Sequence, residues 1–134
     1  MSEIKIHILH TGDVCVSPYL PFGGDCGVLK AMGLTTPHRK WLWLPVFCYL
    51  IEHPKGRILV DTGWSRTMSP QGTFDRRAQI RSLGSLPLYL CNQGVLPAGQ
   101  SVGEQLHTIG LKDSDLDFVL LTHLDCDHAN GLDG

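Results

Sequence analysis

The stretch Phe118-Val119-Leu120-Leu121-Thr122-His123-Leu124-Asp125-Cys126-Asp127-His128-Ala129-Asn130-Gly131 sets an apolar run directly against a cluster of polar side chains. The first four residues read as a buried strand. Of the next seven, five are polar and four carry an imidazole or a carboxylate. His123, Asp125 and Asp127 alternate with Leu124 and Cys126, so in an extended or turning segment the three polar groups converge while the others pack behind them. His128 follows at once. Neutral imidazole and carboxylate oxygen are ligands for zinc, iron or manganese, so the loop can serve one cation or two neighbouring ones. A polar loop in which Asp127 caps a helix ahead of Ala129 accounts for one acidic residue. It does not account for four ligand groups within six positions, and the pattern predicts a metal site. Cys126 is expected to be a packed residue pointing away from it.

The motif Thr122-His123-x-Asp125-x-Asp127-His128-Ala129-x-Gly131 resembles the metal-binding signature of the metallo-β-lactamase superfamily of hydrolases. It departs from that signature at the second ligand position, usually His, where this chain has Asp125. A second block carries a narrower resemblance. Leu44-Pro45-Val46-Phe47-Cys48-Tyr49-Leu50-Ile51-Glu52, a turn, and Ile58-Leu59-Val60-Asp61-Thr62-Gly63 are similar to the N-acyl-homoserine lactonases of that superfamily.

The resemblance implies an α/β (α+β) fold: the N-terminal half of an αββα sandwich, with a mostly antiparallel or mixed sheet and a flanking helix. Residues 1–134 are expected to be the N-terminal portion of one such domain, its C-terminal half lying outside them. His123, Asp127 and His128 are implied metal ligands, and Asp125 a substituted one. Asp127 is also the implied catalytic group, acting on the bound water or the leaving group. Asp61 and Thr122 are expected to support the ligand loop by hydrogen bonding. The implied cofactor is zinc, two ions in a full-length protein, with iron or manganese as the other metals. The implied reaction is opening of a lactone by metal-bound hydroxide. Two alternatives stand beside it: another hydrolase of this fold, acting on a phosphodiester, thioester or β-lactam, or a non-catalytic binding descendant. Because the family's further ligands come from the second half, the isolated chain is expected to be nearly inactive.

Composition agrees with one globular domain: 134 residues, 43% hydrophobic and 18% charged. A net charge of -2 argues against nucleic acid as the main partner, which would want a basic face. The longest apolar run, residues 41–51, is broken by Pro45 and falls short of the roughly 18 residues a spanning helix needs. Residues 1–9 lack a secretory apolar core. The expectation is a cytoplasmic protein acting on a small molecule, without nucleic-acid or membrane partners, and with a homodimer as the one assembly considered. Five cysteines, with no C-x-x-C pair, read as reduced thiols.

Along the chain, Ile4, Ile6 and Ile8 alternate with Lys5 and His7 as in a strand with one covered face. His10-Thr11-Gly12-Asp13 reads as a turn before a second short strand, Val14-Cys15-Val16. His7, His10 and His38 read as hydrogen-bonded or surface residues and are given no role. Residues 17–39, rich in Pro and Gly, read as an irregular excursion, either a cover for a site or a plain connection. Residues 41–50 and 57–60 form a hairpin around Pro54-Lys55-Gly56. The arginines at 76, 77 and 81 lie on a helical turn or two, and residues 83–97 read as another covering loop. Ser101 and Glu104 make a capping box, Val102, Leu106 and Ile109 share a helical face, and Gly110 ends the helix.

Overall fold

The apolar alternation at the N-terminus builds one long strand, β1 (Lys5–Val16), in the computed structural model, which describes residues 3–133. The expected break at Thr11-Gly12 is instead a β-bulge. Pairing slips between His10 and Asp13, and Gly12 at φ 83° supplies the left-handed conformation. An extra residue on one strand flips the alternation, so Leu9 before the bulge and Val14 and Val16 after it all reach a buried core. One strand thus does the work expected of two.

Two short helices, α1 (Tyr19–Phe22) and α2 (Val28–Ala31), and a 3-10 turn at His38–Lys40 carry the Pro/Gly-rich excursion. β2 (Leu42–His53) and β3 (Gly56–Val60) form the expected hairpin, with Leu50 facing Leu59 and Ile51 facing Ile58. A 3-10 turn at Arg66–Met68 precedes α3 (Arg76–Leu83), which Asp75 caps at Ala78 N–H and Gly84 ends in the left-handed conformation.

Residues 83–97 are not a covering loop. They contain α4 (Leu86–Cys91) and β4 (Gln93–Val95), which adds an edge strand to β1 over Asp13–Cys15. The side-chain amide of Gln79 then continues this edge, donating to Gly94 O at 2.7 Å and accepting from Gly94 N–H at 3.0 Å. α5 (Val102–Thr108) carries the expected capping box, with Gly110 at φ 81° just beyond its end. β5 (Phe118–Leu120) follows, then α6 (Cys126–Ala129) and a 3-10 turn at Asn130–Asp133.

The strand order is β4-β1-β2-β3-β5, antiparallel except for the parallel pair β3–β5. One face is covered. Leu9, Cys48, Leu50 and Leu59 pack on Leu106 of α5, and Val14, Val16 and Val46 pack on Trp64, Met68 and Leu96. The other face is open and apolar, carrying Ile6, Ile8, Phe47, Tyr49, Phe118 and Leu120. The expected buried strand before the ligand motif is therefore corrected. β5 pairs on one side only, and Phe118, Val119 and Leu120 are 65%, 45% and 56% exposed. All five cysteines are free thiols, three of them buried. Among the described residues no helix is long and apolar enough to cross a membrane.

Candidate metal centre

Parallel pairing of β3 with β5 brings two loops together at the same end of the sheet, one opening with Asp61 and the other with Thr122. Backbone bonds lace them. Asp61 N–H donates to Leu120 O at 2.8 Å, Thr62 N–H to His128 O at 2.8 Å, and Gly131 N–H to Gly63 O at 2.9 Å. Thr62 Oγ1 adds a second bond to His128 O at 3.1 Å. The approach leaves no room for side chains at two positions. A Cβ on Gly131 would fall on the Thr62 carbonyl, and one on Gly63, which sits at φ 64°, would fall on Thr11. Asp61 itself lies at φ 61°, a left-handed conformation that a short polar side chain tolerates better than most.

That backbone turns the Asp61 carboxylate inward, where it is buried. Oδ1 accepts from Thr122 N–H at 2.8 Å, both oxygens face Thr122 Oγ1 at 3.0 and 2.8 Å, and Oδ2 faces His128 Nδ1 at 3.0 Å. Burial alone would raise this carboxyl. The bonds from Thr122 and His128 outweigh burial and hold Asp61 below the usual aspartate range.

Donor counting then fixes both imidazoles. A carboxylate only accepts, so His128 Nδ1 carries the hydrogen. Thr122 has one hydroxyl hydrogen and gives it to Asp61. Its oxygen must then accept from His123 Nδ1–H, 2.8 Å away. With the Nδ1 hydrogens so committed, Nε2 is the ring nitrogen left to each imidazole for a metal, and the two rings lie 4.1 Å apart between centroids. Asp61 and Thr122 thus bond to the imidazoles of His128 and His123.

The carboxylates complete two pairs. Asp125 Oδ2 lies 3.4 Å from His123 Nε2, and Asp127 Oδ2 lies 3.4 Å from His128 Nε2. Each separation is long for a hydrogen bond. It matches the edge of a tetrahedron with metal–ligand bonds of about 2.0–2.1 Å, which is about 3.4 Å. Donor type, tautomer and pair spacing therefore fit a zinc-like cation. Among the described residues, however, no three His, Cys, Asp or Glu side chains close into a preformed cage. The four predicted ligands stand together as two imidazole–carboxylate pairs.

Burial pushes the Asp127 carboxyl upward, an effect the neighbouring His128 only partly offsets. Asp127 does not cap the helix. The N-cap position of α6 is Asp125, whose side chain makes no capping bond and stays exposed. Cys126 points into the core formed by Val14, Val16 and Val46, and burial, reinforced by Asp127, raises its thiol to about 12. It packs away from the pairs, as expected. His7, His10 and His38 bond to Glu52, Asp13 and Gln93 and lie outside the centre.

Two contributors were not legible as such. Thr62 stands within Asp61-Thr62-Gly63, but nothing in that triplet signals its two hydrogen bonds to the His128 carbonyl. Asn130 stands in the variable slot of the motif, and its side chain reaches Ser65 N–H at 2.9 Å.

Comparison with known proteins gives this arrangement its context. Residues 41–134 match the metallo-beta-lactamase superfamily. An N-acyl homoserine lactonase from Bacillus cereus is 34% identical over 93 residues, covering 66% of this chain and 32% of the relative. One from Bacillus thuringiensis is 30% identical over 102 residues, covering 69% and 34%. The chain thus spans about a third of the length of these curated relatives. Among solved structures, an N-acyl homoserine lactone hydrolase with the product N-hexanoyl-L-homoserine bound at its catalytic metal centre superposes with a TM-score of 0.66. It is 23% identical, and the match covers 98% of this chain and 45% of that one, which shows the fold.

Proposed function

The chain belongs to the metallo-beta-lactamase superfamily, and from that premise we propose that it carries the zinc-binding loop of a hydrolase that opens N-acyl homoserine lactones. His123, Asp125, Asp127 and His128 hold the metal, and Asp61 and Thr122 hold the imidazoles. The observation that carries the reading is the shared lock on Nδ1. One buried carboxylate, directly and through one hydroxyl, leaves both Nε2 lone pairs beside carboxylate oxygens at ligand-to-ligand spacing.

Zinc held at such a site supplies Lewis acidity, lowering the pKa of water and polarising a carbonyl. The residues do the rest. Asp61 keeps the His128 ring from rotating, and Thr122 does the same for His123. Asp127, whose carboxylate stands beside His128 Nε2, is placed to take a proton from water and return it to the ring oxygen as the lactone opens. Lactone chemistry is favoured over phosphodiester, thioester or β-lactam cleavage by the curated relatives, which are N-acyl homoserine lactonases. Zinc suits a site of two imidazoles and two carboxylates, as do iron and manganese, and two ions are the count that two imidazole–carboxylate pairs support. A cytoplasmic location and pairing of two chains through the open sheet face belong to the same reading.

The test is elemental analysis of the purified chain, followed by zinc titration of His128→Ala. Zinc is expected in the wild-type chain and a loss of at least tenfold in affinity in the variant, as for a removed ligand or its support. Turnover of N-hexanoyl homoserine lactone by these 134 residues is expected far below the usual enzyme range of roughly 1–1000 per second, because donors in pairs do not close a cage. A chain that takes up no zinc, iron or manganese would overturn the metal reading.

A further inference from the structure

We infer that Asn130 is a positioning residue, which closes a ring of hydrogen bonds that holds His128 in register with Asp61. The inference rests on the metal-centre reading above, but the ring itself is independent of any metal.

Asn130 follows α6 directly and lies two residues after His128. Its amide is oriented by its partners. Ser65 N–H can only donate, so the atom 2.9 Å from it is the amide oxygen, and Nδ2 is left to donate to Ser82 Oγ at 3.2 Å. Ser82 Oγ lies 2.9 Å from Thr67 Oγ1, and Thr67 Oγ1 lies 2.8 Å from Ser65 Oγ. From Asn130 Nδ2 the bonds run through the hydroxyls of Ser82 and Thr67 to Ser65 Oγ, which also accepts from Thr67 N–H at 3.2 Å. Ser65 N–H to Asn130 Oδ1 closes the circuit. Ser82 also approaches Asn130 Oδ1, at the longer distance of 3.4 Å.

Three segments meet in this ring: the turn after α6, the 3-10 turn at Arg66–Met68 with its cap Ser65, and the last turn of α3. Without it, hydrogen bonds would tie the His128 segment to the loop that begins at Asp61, through Thr62 and Gly63, with Cys126 packed in the core beneath. With it, the same segment is anchored to a packed helix. Ser65 is buried, so an Asn130 truncation would leave a Ser65 N–H without its acceptor. The consequence falls on the nearest ligand. A 3.0 Å bond from His128 Nδ1 to Asp61 survives only if the turn carrying His128 stays where the ring holds it. His123 is fastened through Thr122, next to β5, and does not depend on the ring.

The experiment is nitrogen-15 NMR of the imidazole rings in the metal-free chain, with zinc titrations beside it, for wild type, Asn130→Ala, Ser82→Ala and Ser82→Thr. In wild type, His123 and His128 are expected as single tautomers with hydrogen on Nδ1. In Asn130→Ala, His128 is expected to become a mixture of tautomers while His123 is unchanged, and zinc affinity to fall about tenfold, the lower end for loss of an outer support. Ser82→Ala shifts His128 the same way, and Ser82→Thr, which keeps the hydroxyl, restores it. Unchanged His128 signals in a folded Asn130→Ala chain would overturn the inference even if its thermal stability fell. If that variant does not fold, unchanged His128 signals in Ser82→Ala overturn it instead. Failure of the metal reading shows separately, as absence of zinc uptake by wild type, and leaves the tautomer comparison intact.

Discussion

Asp61 concentrates the chemistry of the site in one side chain. It spends a left-handed backbone and a buried charge to receive three hydrogen bonds, from Thr122 N–H, Thr122 Oγ1 and His128 Nδ1. Asp61→Asn is the informative change. Asn keeps the size and tolerates the backbone conformation, but its amide nitrogen must face one of those donors. The expected result is a zinc affinity lowered 10- to 100-fold with a thermal midpoint lowered by only a few degrees, read by isothermal titration and calorimetry on the same sample. Equal zinc affinity in the two proteins would show that the carboxylate does not set the ligand tautomers. At this scale the ligands were open to reading because their chemistry is carried by residue type, and four imidazole or carboxylate groups in six positions need no fold to be conspicuous. Asn130 and Thr62 were closed to it. An amide or a hydroxyl is common everywhere, and their partners Ser65, Ser82 and the His128 carbonyl lie 48 to 66 positions away.

Among the elements, α5 shows how local and distant bonds combine. Ser101 accepts from Glu104 N–H and Glu104 from Ser101 N–H, so the helix start is written in adjacent residues. Arg66, from the 3-10 turn after β3, then clamps the Glu104 carboxylate at 2.6 Å while donating to the carbonyls of Ser69, Leu96 and Pro97. The Arg66 bond lowers the Glu104 carboxyl to about 2, with burial opposing it. A folded value below the unfolded one stabilises at pH above the ordinary glutamate pKa and loses that stabilisation as pH falls toward the folded value. Glu104→Gln is therefore expected to cost roughly 1–2 kcal/mol near neutrality, after allowance for partial exposure. The difference from wild type should shrink between about pH 4.5 and pH 2 in urea unfolding series, the window set by the two carboxyl values. A gap that stays constant across that window would remove the charge of Glu104 from the explanation. The capping box and the β2–β3 hairpin were legible because turn and cap chemistry is local. β4 was not, since three residues containing a glycine become a strand only where β1 offers an edge. The β1 bulge was misread for a related reason: Gly12 looks like a turn until β2 is present to pair on both sides of it.

Over the whole molecule, the sheet is finished on one side only. α5 and the Trp64–Met68 segment bury one face, while Ile6, Ile8, Phe47, Tyr49, Phe118 and Leu120 present the other to solvent in adjoining rows. A continuous apolar face of this kind drives association. β5, whose outer edge has no partner strand among the described residues, adds open backbone groups to it. Position in the strand register, and not hydrophobicity, decides which side is left open. Ile8 stands opposite Tyr49, and Tyr49 opposite Val60, all on the face away from Leu9, Cys48 and Leu59. In sedimentation velocity the chain is expected to show a sedimentation coefficient that rises with concentration. Ile8→Lys combined with Phe118→Lys should return it to the monomer value, because charges on exposed strand positions oppose face-to-face and edge-to-edge pairing. Both side chains are already in solvent, so folding stability should change by no more than about 1 kcal/mol. Monomeric behaviour of the unmodified chain at every concentration would mean that the open face does not recruit a second copy, and pairing would then drop out of the functional reading while the metal centre stood unaffected.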